Sequence, residues 1–149
     1  MALIGSGVFE GAGVKAIGIG GHPEGHPIMN AEQCWAVIDE KVAAIETRGV
    51  VWGDQLVRHI DLPPGVDFTP LFKGLPDDRC QCPHWGLVLR GSIHVRYADG
   101  HEDLVRAGDV YYWPPGHTVW VDEDYEAVEF SPSGPMWEVI DHLNSKVGN

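Results

Sequence analysis

The chain has 149 residues, 44% of them hydrophobic, and a formal net charge of −12 from 22 acidic against 10 basic side chains. That length suits one domain with a real core. The acidic balance argues against a surface of clustered Lys and Arg, so neither nucleic acid nor an anionic membrane is expected as a partner.

No run of about 18 apolar residues occurs, so no membrane-spanning helix is expected. The opening residues, MALIGSGVFEGAGVKAIGIG, lack a basic n-region and a compact apolar h-region, and do not read as a signal peptide. Three cysteines, two of them one residue apart, make a poor disulfide framework. They fit a reducing, cytoplasmic compartment with thiols free or bound to metal.

Residues 1–30 are glycine-rich and carry GHPEGHP, which predicts loop or edge strand ahead of a single domain over 31–149. Val8-Phe9 and Val14 to Ile19 are the stretches there able to add a strand. His22 and His26 have helical metal spacing, but Pro23 and Pro27 disfavour a helix, and a solvated turn is expected. Asn30 to Thr47 reads as a helix. Asn30 is its N-cap, Gln33 its capping-box partner, and Cys34, Ile38, Val42 and Ile45 its apolar stripe beside Trp35. Cys34 is then a small core residue.

From Val50 the texture becomes β. Val50 to Trp52 and Gln55 to Ile60 flank a Gly53-Asp54 turn, and Leu62 to Lys73 reads as a connecting loop. Further on, turn signals recur every 8 to 12 residues. Gly91-Ser92 separates Leu87–Arg90 from Ile93–Tyr97, and Asp99-Gly100 is a hairpin signal before Glu102–Arg106. Strands are expected at Asp109–Trp113, Thr118–Val121 and Tyr125–Phe130. Many short, evenly spaced strands point to a sandwich or barrel. Ser133 caps a last helix, Met136 to Lys146, with Met136, Trp137, Ile140 and Leu143 on its buried face.

The chemistry concentrates in Arg79 to Gly91, RCQCPHWGLVLRG. Cys80, Cys82 and His84 come at intervals of two, so in an extended chain two thiols and an imidazole line one face. An apolar run, Trp85 to Leu89, follows. His117 sits just beyond Pro114-Pro115-Gly116. A direct Cys82–His84 nucleophile pair is disfavoured, because i and i+2 lie about 7 Å apart along a strand. No Walker loop, Rossmann fingerprint, G-x-S-x-G or HExxH pattern is present.

Over Gly74 to Pro132 the pattern resembles the cupin superfamily. Anchored on Gly91, the first cupin signature puts its glutamate position at His84 and its two histidine positions at Asp78 and Cys80. The second signature fits at Gly108 and at Pro114-Pro115-Gly116. Its histidine position falls on Val119 and its asparagine position on Glu123. The frame is kept while every usual ligand is changed. His117, two residues before Val119, shares its strand parity and reaches the same interior.

The resemblance implies a mainly β, cupin-type jelly-roll barrel with the early helix and the C-terminal helix packed outside. It also implies a homodimer. The ligand set is then Cys80, His84 and His117, with Cys82 as a fourth and Asp78 a weaker candidate at the rim. Such soft donors favour zinc or copper, with iron or nickel next. Four ligands would make a closed structural site, and three would leave a position open for catalysis on a small organic molecule, by dioxygenation, isomerisation or lyase chemistry.

The alternative is a non-catalytic binding module with a structural metal or none. Trp85, Tyr111 and Trp113 are candidate pocket walls, and equally candidates for a core of large rings. His94 and Arg96 face solvent if Ile93, Val95 and Tyr97 face the core. His59, His101 and His142 read as surface.

Overall fold

The computed structural model describes residues 8–11, 14–17, 34–39 and 43–147, with side chains from residue 49 to 146. In chain order the strands are β1 (Val8–Gly11), β2 (Val14–Ile17), β3 (Cys34–Asp39), β4 (Ala43–Trp52), β5 (Gln55–Leu62), β6 (His84–Arg96), β7 (Glu102–Arg106), β8 (Val110–Trp113), β9 (Thr118–Trp120) and β10 (Tyr125–Pro132). A short 3₁₀ turn covers Pro76–Asp78 and a helix, α1, covers Ser133–Val147. β1 and β2 form a small hairpin. The expected turn around His22 and His26 lies outside the described residues.

The main ladder runs β3-β4-β5-β10-β6-β7, with β8 and β9 also paired to β6, and among the described residues its ends do not join into a ring. β6 links two layers. Its first half pairs with β10 and β8, and its second half, from Ser92, with β7 and β9. The changeover falls at Gly91, where φ is +74° and a Cβ would lie 1.8 Å from the Asp124 carbonyl oxygen. The expected break at Gly91-Ser92 is therefore a kink inside one strand. Ser92 N–H donates to Asp124 O while the partner strand shifts register between Glu126 and Ala127.

The expected helix over 30–47 is corrected. Its described part is an antiparallel pair, β3 and β4, in register from Cys34↔Arg48 to Asp39↔Ala43. A short apolar run fits both periods, and Trp35, Val37, Ile38, Ile45, Thr47, Val50 and Val51 are residues that favour a pleated surface. β5 offers an edge, and β4 takes it over Glu46 to Trp52. Tertiary pairing outweighs the helical stripe.

Two apolar clusters result. Between the layers, Val88, Val95, Tyr111, Trp113, Tyr125 and Ala127 belong to one. In the other, Met136, Val139 and Ile140 of α1 pack on Leu56, Phe72, Cys80 and Cys82. The C-terminal helix expected at Met136–Lys146 thus covers the chain just ahead of β6.

Candidate metal centre

β6 opens at His84, which is buried, and alternates strictly to the exposed Trp85. Cys80 is pinned ahead of it. Its N–H donates to His117 O (2.9 Å), and its carbonyl accepts from Gly116 N–H (2.8 Å). This bridge lays the Arg79–Pro83 segment beside the segment that leaves Pro114-Pro115-Gly116. One donor atom each from Cys80, His84 and His117 lies within 4.8 Å of the others, and all three residues are buried. Cys80 Sγ is 3.4 Å from His84 Nε2, and the two imidazole rings are 5.0 Å apart.

Cys82 does not join them. It sits in a bend, where strand parity does not carry forward. Its Sγ donates to Pro83 O (3.4 Å), and it packs under α1. Asp78 is exposed and accepts from Gly74 N–H, away from the cluster. Trp85 stands on the outer face, stacked on Tyr112, so it walls no interior site. Tyr111 and Trp113 do face the interior, with ring centroids 4.1 Å apart, and Trp113 lies 5.6 Å from His117. His94 and Arg96 are outward, paired with Asp122 and Glu102.

A buried polar row, unforeseen in the sequence, supports the cluster. Arg58, Glu129, Gly86 and Tyr111 face one another across β5, β10, β6 and β8. Glu129 is ion-paired with Arg58 and accepts from Tyr111 O–H (2.6 Å), whose oxygen also lies 2.9 Å from the Tyr125 hydroxyl. Gly86 makes this reach feasible, since a Cβ there would lie 2.4 Å from the Tyr111 ring. The available signal was phase. Arg58 alternates in step with Leu56, Ile60 and Leu62, and Glu129 with Tyr125 and Ala127.

These partners bear on both tautomers. His84 Nδ1 is 2.7 Å from Ser131 Oγ, with a Glu129 oxygen 3.3 Å away, a setting that suits a proton on Nδ1. His117 Nδ1 donates to Pro114 O (2.7 Å). Each ring therefore keeps Nε2 bare, as a metal-ligating imidazole does. Burial holds both imidazoles below their ordinary range, and for His84 the neighbouring His117 adds to this. Burial pushes the Cys80 thiol up to about 12, against a lesser pull from the Cys82 backbone. Cys82 is likewise raised to about 12, by burial and then by Cys80.

No known family model matches the chain. Among solved structures it is similar to an RmlC-like cupin from Shewanella frigidimarina NCIMB 400. The TM-score is 0.51 at 16% identity, over 73% of this chain and 93% of that one. The chain has a cupin fold. The iron(II) form of HppE with the alternative substrate (S)-1-HPP aligns with a TM-score of 0.50 at 14% identity, over 72% of this chain and 60% of that one. A putative ethanolamine utilization protein Q from Salmonella typhimurium LT2 aligns at 0.47 and 14%, over 71% and 92%. In this chain the second-signature histidine position, Val119, is a buried apolar residue, while His117 faces His84.

Proposed function

We propose that this cupin binds one divalent transition metal through Cys80 Sγ, His84 Nε2 and His117 Nε2, and acts there on a small organic molecule. The convergence of those three donors, within 4.8 Å of one another, carries the reading. Ligands on a tetrahedral zinc with ordinary Zn–S and Zn–N bonds stand about 3.5 Å apart. The 3.4 Å Cys80–His84 spacing fits that value. One thiolate with two imidazoles favours zinc or copper, then iron or nickel. With Cys82 turned away, the described residues supply three ligands, which is the open count of catalytic sites. Such a metal supplies Lewis-acid polarisation or activation of oxygen.

The chain's own residues prepare the site. Ser131 and Glu129 hold the His84 proton on Nδ1, and Pro114 does so for His117. Trp113 packs beside both rings and excludes water. A second reading, a thiol nucleophile with His84 as base, has the 3.4 Å contact in its favour. Burial weighs against it, because a thiol raised to about 12 is almost wholly protonated near neutrality. The same thiol bound to a metal is deprotonated outright. A reducing, cytoplasmic setting suits the free thiols.

The test is elemental analysis of protein purified without added metal or chelator, followed by cobalt(II) titration. The expected result is close to one equivalent of metal, with a thiolate-to-cobalt absorption band that Cys80→Ser removes in folded protein. Less than about a tenth of an equivalent, together with no cobalt binding, overturns the proposal.

A further inference from the structure

Among the described residues, the buried side-chain polar atoms without a hydrogen-bond partner are Arg58 Nε, Trp113 Nε1 and Asn144 Oδ1. Asn144 lies on α1, and the Arg58 guanidinium already pairs with Glu129 through another nitrogen. Trp113 differs from both in its surroundings. It is 3% exposed and sits opposite His84 across β6 and β8. Its ring lies 6.1 Å from that of His84, nearly perpendicular to it, and 5.6 Å from that of His117. An indole N–H lies in the ring plane, so Tyr111, stacked on the face at 4.1 Å, does not take it up. The neighbouring polar groups are committed elsewhere, the Tyr111 hydroxyl to Glu129 and Tyr125, and Glu129 to Arg58 and His84. A buried donor of this kind calls for an acceptor, because a hydrogen bond left unmade there is costly.

We propose that the Trp113 indole N–H anchors one oxygen of a small monoanionic carboxylate whose other oxygen takes the open position of the metal centre. This rests on the metal reading above and names the substrate class of that site. Charge selects the anion. A divalent metal with one thiolate and two neutral imidazoles leaves a single net positive charge in a dry interior, and the Arg58–Glu129 pair beside it sums to zero. A monoanion cancels that charge, whereas a neutral or doubly charged ligand leaves net charge buried. The count of partners selects the carboxylate. Its two oxygens match the metal and the N–H, and together they fix its orientation. The rest of the ligand is small and apolar, since Trp113 shares its cluster with Val88, Val95, Tyr111 and Val119. The indole also discriminates, because a ligand without the second oxygen leaves a buried donor unmatched.

The test loads the full chain with cobalt(II) and titrates it with acetate while the cobalt d–d absorption is read. Saturable binding is expected, with acetamide, similar in size and uncharged, at least about tenfold weaker. Trp113→Phe keeps a stacked ring and removes the N–H. It should leave the cobalt stoichiometry and the thiolate-to-cobalt band unchanged. It should raise the acetate dissociation constant about ten- to hundredfold, as for one hydrogen bond to a charged group. Trp120→Phe, at a ring stacked on the outward His94, should leave that constant unchanged. A second measurement needs no variant. In zinc-loaded protein with isotopically labelled tryptophan, one solvent-protected indole N–H resonance among the six should move downfield as acetate binds. Where Trp113→Phe does not hold cobalt, these resonances alone decide. Bound cobalt with no acetate response, equal affinity for acetamide, an acetate constant indifferent to Trp113→Phe, or six unmoved indole resonances overturns this proposal and leaves the metal reading standing. Failure to bind either metal overturns both.

Discussion

The two faces of one sheet solve opposite problems one residue apart. On the inner face, Arg58, Glu129 and Tyr111 place a guanidinium, a carboxylate and a phenol in the protein interior. Each is matched there by a neighbour across the strands, and burial is tolerated because the charges pair. On the outer face, Phe130, Trp85 and Tyr112 leave large apolar surface in water. The pleat alone separates the two, since His84 points in and Trp85 points out. Inside, the charged and phenolic groups pair with one another; outside, large apolar side chains stay exposed among the described residues. The same strands therefore carry a rigid, dry support for a candidate centre and a surface with low polarity.

The inner face should break most severely when its pairing is made odd. Arg58→Met leaves the Glu129 carboxylate buried without its cation, and should cost about 3–5 kcal/mol of stability in urea unfolding. Adding Glu129→Leu should restore much of that loss, because removing both charges removes the burial penalty with them. If the single variant costs under about 1 kcal/mol, the pair is solvent-relaxed and the inner row is not the support argued for it.

Part of this was legible in the sequence because alternation and turn residues are local signals. The strands from Gln55 to Phe130 follow the turn glycines, and burial, though not a shared direction of the donor atoms, recurs at every second residue over Cys80, Cys82 and His84. Two failures have physical causes. The 34–47 region carries an apolar pattern that fits both a helix and a strand, and only the edge of β5, distant in sequence, decides between them. Cys82 shares the parity of Cys80 and His84, but Pro83 and the bend break the extended geometry on which parity depends. Glu129 and Arg58 are 71 residues apart, so their pairing exists only once register is known.

A smaller effect sharpens the account of how Tyr111 reaches Glu129. Gly86→Ala places a methyl 2.4 Å from the Tyr111 ring, and the ring is locked between Trp113 and two hydrogen bonds. Overpacking of this kind should cost about 1–3 kcal/mol. Tyr111→Phe removes the two hydroxyl contacts without any clash, and its thermal midpoint should fall less than that of Gly86→Ala.

Protonation gives a graded test of the inner face. In metal-free protein His84 and His117 are held below their ordinary value of 6.5. Below that pH the unfolded chain takes up protons that the folded chain refuses, so stability falls as pH falls. The slope is at most about 1.4 kcal/mol per pH unit for each histidine. Cys80 and Cys82 work in the opposite direction. Their thiols are raised from 9.0 to about 12, so above pH 9 the unfolded chain loses protons that the folded chain keeps, and stability falls as pH rises. Urea unfolding across pH should therefore show a plateau between about 6.5 and 9. Bound metal should flatten the Cys80 part of the alkaline limb, since it holds that sulfur as thiolate.

The smallest effect compares the covered and bare parts of the outer face directly, with one substitution at two valines. Val57→Thr buries a hydroxyl at a position 2% exposed, among apolar neighbours, and should cost about 1–3 kcal/mol. Val110→Thr makes the same change at an edge-strand position 80% exposed, where water solvates the hydroxyl. It should move stability by no more than about 0.5 kcal/mol. Equal costs at the two sites would mean that β8 is covered within a single chain, and the gradient across the face would lose its meaning.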